Sequence, residues 1–199
     1  MRDVTATLRR LYRDVDGYEI GARQERRIER ARGSATYGEI MPSASVKLID
    51  ALELGPADTF VDLGSGVGKL VMTAALRSKV GRAIGVELGR DRHRDAVSVV
   101  REAEAEGVLT PGVVELRNQD ILRTSLAGAT VLYTCSTAFP YAFTERVAHR
   151  VGRLRRPVRF VTLQELDCDV PGFALTEVMR LDMSWARKRK VHIYAVSGP

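Results

Sequence analysis

At 199 residues and 22.0 kDa, with 45% hydrophobic and 28% charged residues, the chain suits one domain with a sizeable core and excludes a disordered or fibrous protein. The charged start Met1-Arg2-Asp3, with Arg9, Arg10 and Arg13 behind it, holds no apolar run suited to a signal peptide or membrane span, so a soluble cytoplasmic protein without membrane contact is expected. The net charge of +6 leans toward nucleic acid or an acidic protein partner, but 25 acidic residues dilute it.

In chain order, Leu8 to about Arg32 alternates basic, acidic and apolar residues at helical spacing, as in Ile20, Gln24, Arg27 and Ile28. Gly17, Gly21 and Gly33 interrupt it, which predicts a small helical cap. A second helix is expected from Pro42, with Ser43 or Ser45 near its start, Val46, Leu48, Ile49 and Leu52 apolar, and Gly55-Pro56 as its stop. Short β-branched runs then alternate with helices: Thr59 to Leu63, a helix from Lys69, Ala83 to Glu87, a helix from Asp91, and Val113 to Leu116. Thr130 to Tyr133, a helix from Tyr141 and Val158 to Leu163 continue the rhythm, which implies parallel strands with crossover helices on both faces. Ala174 to Leu181 and Val191 to Val196 follow without a helix between them and read as a closing antiparallel hairpin. The expected fold class is α/β, a doubly wound and mainly parallel seven-stranded sheet. The two cysteines, Cys135 and Cys168, are too few and too far apart for a disulfide framework or a zinc site, and no metal is expected.

The strand Thr59-Phe60-Val61-Asp62-Leu63 runs into Gly64-Ser65-Gly66-Val67-Gly68 and then into an apolar helix. Such a turn lets a ligand approach the backbone and meet the free N–H groups of a helix start. A nucleoside triphosphate loop needs one more residue and a Ser or Thr where Leu70 stands. A dinucleotide fingerprint places its third small residue at Lys69, where bulk obstructs helix-strand packing. The remaining pattern, Gly-x-Gly-x-Gly behind an aspartate, resembles the first motif of class I S-adenosylmethionine (SAM) dependent methyltransferases, which have a Rossmann-like sheet. That resemblance implies SAM as cofactor and S-adenosylhomocysteine as product. Asp62 would face the methionyl ammonium, Gly64, Ser65, Gly66 and Gly68 would form the cradle, Glu87 would accept the ribose hydroxyls, and Asp120, with Ile121 beside it, would meet the adenine.

A sharper resemblance, spanning roughly Tyr37 to Tyr194, is to the Dot-one-like (disruptor of telomeric silencing) family of lysine methyltransferases. Tyr37-Gly38-Glu39 is similar to that family's cofactor lid, Phe60 to Gly68 to its glycine motif, and Gly85-Val86-Glu87 to its second motif. Ala138-Phe139 and Ser184-Trp185 stand where the family builds its substrate channel, and Cys135-Ser136 replaces its usual asparagine pair. The resemblance implies a protein-lysine N-methyltransferase. Residues 1–55 would be helical cap and lid, and residues 56–199 the SAM-binding core. Tyr37, Phe139, Trp185 and Tyr194 are the candidate channel aromatics, with Cys135 and Ser136 at its polar corner. A cysteine here also suits attack on a pyrimidine ring, although a small packed thiol is the plainer reading. Arg146, Arg150, Arg153, Arg155 and Arg156 read as a solvated helix face and turn. Nucleic acid and small amines stand as alternative acceptors, the first disfavoured because no Asp/Asn-Pro-Pro-aromatic motif follows the fourth strand; a SAM-binding module without catalysis is a third reading.

Overall fold

The computed structural model describes residues 3–18, 21, 25–26, 28, 38–166 and 170–198. Helix α1 spans Val4–Leu11 and starts earlier than its sequence pattern suggests, because Asp3 caps it by accepting from the Ala6 N–H at 3.1 Å. Its buried Val4, Leu8 and Leu11 sit at helical spacing and pack against Val67, Met72 and Val99. The helix therefore lies on the core next to the glycine turn.

Helix α2, Pro42–Leu52, begins with proline at its first turn and has no side-chain cap. Ser45 Oγ instead donates back to the Pro42 carbonyl at 2.8 Å. The helix ends three residues before Gly55, and its C-cap Glu53 takes the left-handed conformation at φ 44°.

From Thr59 the expected alternation holds: β1 (Thr59–Leu63), α3 (Lys69–Arg77), β2 (Arg82–Val86), α4 (Arg90–Ala105), β3 (Val114–Arg117) and β4 (Val131–Thr134). A short 3-10 turn at Ser136–Ala138, α5 (Tyr141–Gly152), β5 (Val158–Thr162), β6 (Phe173–Leu181) and β7 (Arg189–Val196) follow. The seven strands form one sheet in the order β3-β2-β1-β4-β5-β7-β6, with β7 antiparallel to both neighbours. The order reverses between β1 and β4, and that switch point opens a crevice at the strand ends.

Alternate residues of the central strands feed two cores. Phe60, Tyr133 and Val161 pack under α2 and α3, whereas Val61, Leu132 and Phe160 pack under α5 through Phe143, Val147 and Val151. Strands buried on both faces read as continuous apolar runs, as β4 does. Strand β6 is largely exposed from Ala174 to Val178 because it forms the sheet edge beyond the last covering helix.

Candidate cofactor and acceptor site

The glycine turn sits where β1 meets α3. Gly64 at φ 92° and Gly68 at φ 84° occupy the left-handed region, where a side chain is strained, and Gly68 is the residue from which α3 starts. Gly85 on β2 serves packing: a Cβ there would lie 2.8 Å from both Ser65 Oγ and Leu116 Cδ2. The small residue lets β2 pass beneath the turn.

Carboxylates surround this turn. Glu87, buried just past β2, accepts from the Gly66 N–H at 2.9 Å and from the Gly89 N–H at 2.6 Å. It joins the turn to the start of α4. Each of its oxygens retains capacity for a further donor. Asp62 is buried, and its Oδ1 has no hydrogen-bond partner among the described residues. Burial, and then the charge of Glu87, pushes the Asp62 carboxyl up to about 8. Ser65 Oγ is also buried without a partner among the described residues, and the Tyr133 hydroxyl is buried beside Cys135. All three residues line one cleft with Gly38, Glu39, Gly64 and Cys135. Orphaned acceptors at a backbone cradle are what an ammonium-bearing ligand requires, so the residues present fit a methionyl group.

At the third corner, Asn118 Nδ2 donates to the Glu87 carbonyl at 2.8 Å and the Leu88 carbonyl at 3.1 Å, while Asp120 Oδ1 accepts from the Leu122 N–H at 2.8 Å. Ile121 is buried, and its Cδ1 would lie 3.7 Å from a Cβ on Gly64. In the arginine run Arg146, Arg153, Arg155 and Arg156 are exposed, as the sequence suggests, and Arg150 is the half-buried exception. Arg150 donates to the carbonyls of Ile121 and Thr124, and Arg156 to that of Ala129 at 3.1 Å. Arginine is suited to this because its planar fork satisfies several carbonyls at once. Nothing in the sequence marks Arg150 as a clamp on the Ile121 corner, since its partners lie more than twenty residues away.

The segment from Gly38 to Met41, expected from the resemblance to belong to a lid, meets the hairpin. Ser184 N–H donates to the Glu39 carbonyl at 2.8 Å, Met41 N–H to the Asp182 carbonyl at 3.0 Å, and Ile40 bridges Met183. Trp185 lies directly over Gly38, where a Cβ would come within 2.3 Å of its ring. Glu39 accepts from Lys69 Nζ at 2.5 Å, so the lid is also tied to the first residue of α3. Tyr37 lies outside the described residues.

Beyond β4 the candidate acceptor residues separate. Cys135 is in the cleft, its Sγ donating weakly to the Gly38 carbonyl at 3.8 Å. Burial, helped by the charge of Asp62, pushes its thiol up to about 12, which is the opposite of nucleophile activation. Ser136 is fully buried: its Oγ shares a hydrogen with Thr162 Oγ1 at 2.7 Å and accepts from the Gln164 N–H at 2.8 Å. Gln164 continues this network, donating to the Phe139 carbonyl at 2.9 Å and accepting from Thr144 Oγ1 at 2.5 Å. Ser136 therefore positions the corner. Phe139 lies against the glycine turn, 3.4 Å from a Cβ built on Gly64, and packs on Phe143 with the ring centroids 4.9 Å apart and the planes tilted at 48°.

Tyr194 is buried with its ring 6.0 Å from Phe173, and its hydroxyl accepts from the Leu166 N–H at 2.9 Å. Phe139 thus reaches the glycine turn, Trp185 reaches Gly38, and Tyr194 is held inside the core by Leu166. Sequence reading missed His192, the cross-strand neighbour of Thr162, which is buried with both ring nitrogens unbonded among the described residues and Nε2 3.6 Å from Glu165 Oε2. Its strand position was visible, but its depth was not. No group of three or more metal-ligating side chains occurs among the described residues, and none of their helices is long and apolar enough to cross a membrane.

The model of the family described as "Histone methylation protein DOT1" matches residues 28–177 of this chain. The chain belongs to the DOT1 family. Two DOT1 relatives are named histone-lysine N-methyltransferase, H3 lysine-79 specific. The Caenorhabditis elegans protein is 32% identical over 142 residues, covering 67% of this chain, and the Cryptococcus neoformans protein is 46% identical over 52 residues, covering 26%. The chain spans only 15% and 8% of the lengths of these relatives. Among solved structures, an RNA methyltransferase of Salinibacter ruber bound to S-adenosylhomocysteine has a TM-score of 0.55 at 22% identity, covering 77% of this chain and 90% of that one. A Pyrococcus horikoshii protein proposed to methylate RNA has a TM-score of 0.62 at 14% identity, covering 100% and 98%. At those identities the likeness shows the methyltransferase fold alone.

Proposed function

We propose that the chain is a SAM-dependent methyltransferase whose acceptor is a lysine of a protein. The observation that carries the cofactor reading is the buried, unpartnered Asp62 carboxyl beside Glu87 at the glycine turn. Asp62 binds the methionyl ammonium, Glu87 the ribose hydroxyls and Asp120 the adenine amino group, with Ile121 packing beside the base. Gly64, Ser65, Gly66 and Gly68 give the backbone cradle, and Tyr37 and Glu39 belong to the lid. When bound, SAM supplies a methyl group on a sulfonium.

A lysine must lose its proton to accept that methyl group, which costs roughly 4.6 kcal/mol at pH 7 from a reference pKa near 10.4. Phe139 and the buried corner of Cys135 and Ser136 lower this cost by excluding water. The family match and the names of the relatives support lysine over other acceptors. Because the chain spans a small part of those relatives, the proposal names a protein lysine and no particular histone. The test is incubation of the purified protein with methyl-labelled SAM and a lysate of its host. Protease-sensitive label recovered as methyl-lysine is expected; label removed by nuclease, or carried by a small amine, would overturn the lysine assignment.

A further inference from the structure

We propose that the β6–β7 hairpin is a docking surface for an extended acidic segment of the protein that carries the acceptor lysine, an inference that rests on the protein-methylation reading. Every exposed large hydrophobic side chain among the described residues lies on this hairpin or on chain that touches its tip: Leu175, Val178, Trp185, Met41 and Tyr18. Tyr18 reaches the tip through its hydroxyl, 2.8 Å from Ser184 Oγ, and Met41 through its N–H bond to Asp182. Apolar side chains left in water and gathered at one place mark a contact surface.

The same hairpin carries a concentration of positive charge. Arg187, Lys188, Arg189 and Lys190 run consecutively, and Arg180 stands opposite Lys190 in register. All five are exposed, and none forms an ion pair among the described residues. The carboxylate nearest in sequence, Asp182, uses Oδ1 to accept from the Lys188 N–H. That bond, with Lys188 in the left-handed region at φ 52°, fixes the tip.

The pattern suits a peptide strand. Lys190 on β7 pairs with Arg180 on β6, and Val178 and Leu175 continue the exposed face along β6, while their β7 partners His192 and Tyr194 are buried and back it. β6 is the last strand of the sheet, so its outer backbone groups have no strand partner among the described residues and can accept an added strand. A single-stranded nucleic acid would favour a series of open aromatic faces; here β6 itself carries the aliphatic Leu175 and Val178, and of the two exposed aromatics at the tip, Tyr18 and Trp185, Trp185 has Gly38 beneath its ring. The tip also holds the lid against the cleft containing Cys135 and Asp62, which places a docked segment beside the site.

Trp185 is the sole tryptophan of the chain, so its fluorescence reports occupancy of this surface. The test is titration of the full chain with a twelve-residue peptide alternating glutamate and valine around one lysine, and in parallel with poly(U). Saturable change in Trp185 emission by the peptide is expected, weakened tenfold or more by Arg187→Glu combined with Lys190→Glu and also by Val178→Glu. Poly(U) binding tighter than the peptide, peptide binding indifferent to the charge reversal, or no emission change would overturn the proposal. The readout needs neither cofactor nor turnover. A peptide that docks but is never methylated would therefore support the docking surface and count against protein methylation alone.

Discussion

The two ends of the crevice are built differently. Around β1, β2 and β3 the site consists of backbone groups and short carboxylates at the ends of successive strands: Asp62, the glycine turn, Glu87 and Asp120. Beyond β4 it consists of side chains brought together from distant parts of the chain: Ser136 with Thr162 and Gln164, Cys135 with Gly38, and Trp185 over the lid. The first kind of site tolerates little change, because its geometry is backbone geometry. The second rests on side-chain geometry, as the network of Ser136, Thr162 and Gln164 shows.

The largest effect expected at the first end is that of Asp62→Asn, which should weaken SAM binding at pH 8 by a hundredfold or more in calorimetry. The same variant should remove a pH dependence. The folded Asp62 holds its proton up to about 8, whereas an unfolded aspartate loses it near 4, so the folded state binds more protons between those values. Stability of the cofactor-free protein therefore falls as pH rises from about 4 to about 8. Urea melts across that window should show the decline in the parent and a flatter profile in Asp62→Asn. Affinity for the ammonium-bearing cofactor moves the other way in the parent, rising toward pH 8 as Asp62 ionises. Equal slopes in the two proteins would dissociate the burial of Asp62 from cofactor recognition.

Glu87→Ala should follow in size, with SAM affinity falling tenfold or more. It also leaves the N–H groups of Gly66 and Gly89 without their acceptor, so a stability loss of about 1–3 kcal/mol is expected in denaturant melts. Unchanged SAM affinity would leave Glu87 as a brace of the turn and nothing more. At the other end, Ser136→Ala should cost a similar about 1–3 kcal/mol through the unpaired Gln164 N–H. It should lower kcat/KM for the acceptor severalfold while SAM affinity holds. That split separates the two ends; a matching fall in SAM affinity would merge them.

This difference decided what the sequence could reveal. The strand and helix rhythm from Thr59 to Thr162 was legible because buried parallel strands demand apolar runs and the crossovers demand helical periodicity. Asp62, Glu87 and Asp120 stood out as candidates because each lies at or just beyond the end of a strand, where the motif spacing could be read. Arg150 looked like solvent-facing charge because its carbonyl partners on the Ile121 corner are remote in sequence. Tyr194 looked like a channel aromatic because no pattern discloses that its hydroxyl is held by Leu166. His192 was passed over because alternation in an edge hairpin does not tell which residues a neighbouring loop covers.

Cys135 carries the smallest expected effect, and it discriminates between reactions. With the thiol raised to about 12, the thiolate fraction at pH 8 is on the order of one in ten thousand, against roughly a quarter for a free cysteine. Iodoacetamide should therefore modify Cys135 in the folded protein roughly a thousandfold more slowly than after unfolding, with peptide mapping separating it from Cys168. Its contact with Gly38 is a long, weak sulfur bond, so Cys135→Ala should change stability by about 1 kcal/mol and turnover by only a few-fold. Covalent attack on a pyrimidine ring requires the thiolate at every turnover, and the alanine variant would then be inactive. Residual turnover in Cys135→Ala places the chemistry on the acceptor's own amine, held by the corner that Ser136 and Phe139 build, and assigns the thiol to packing beneath the lid.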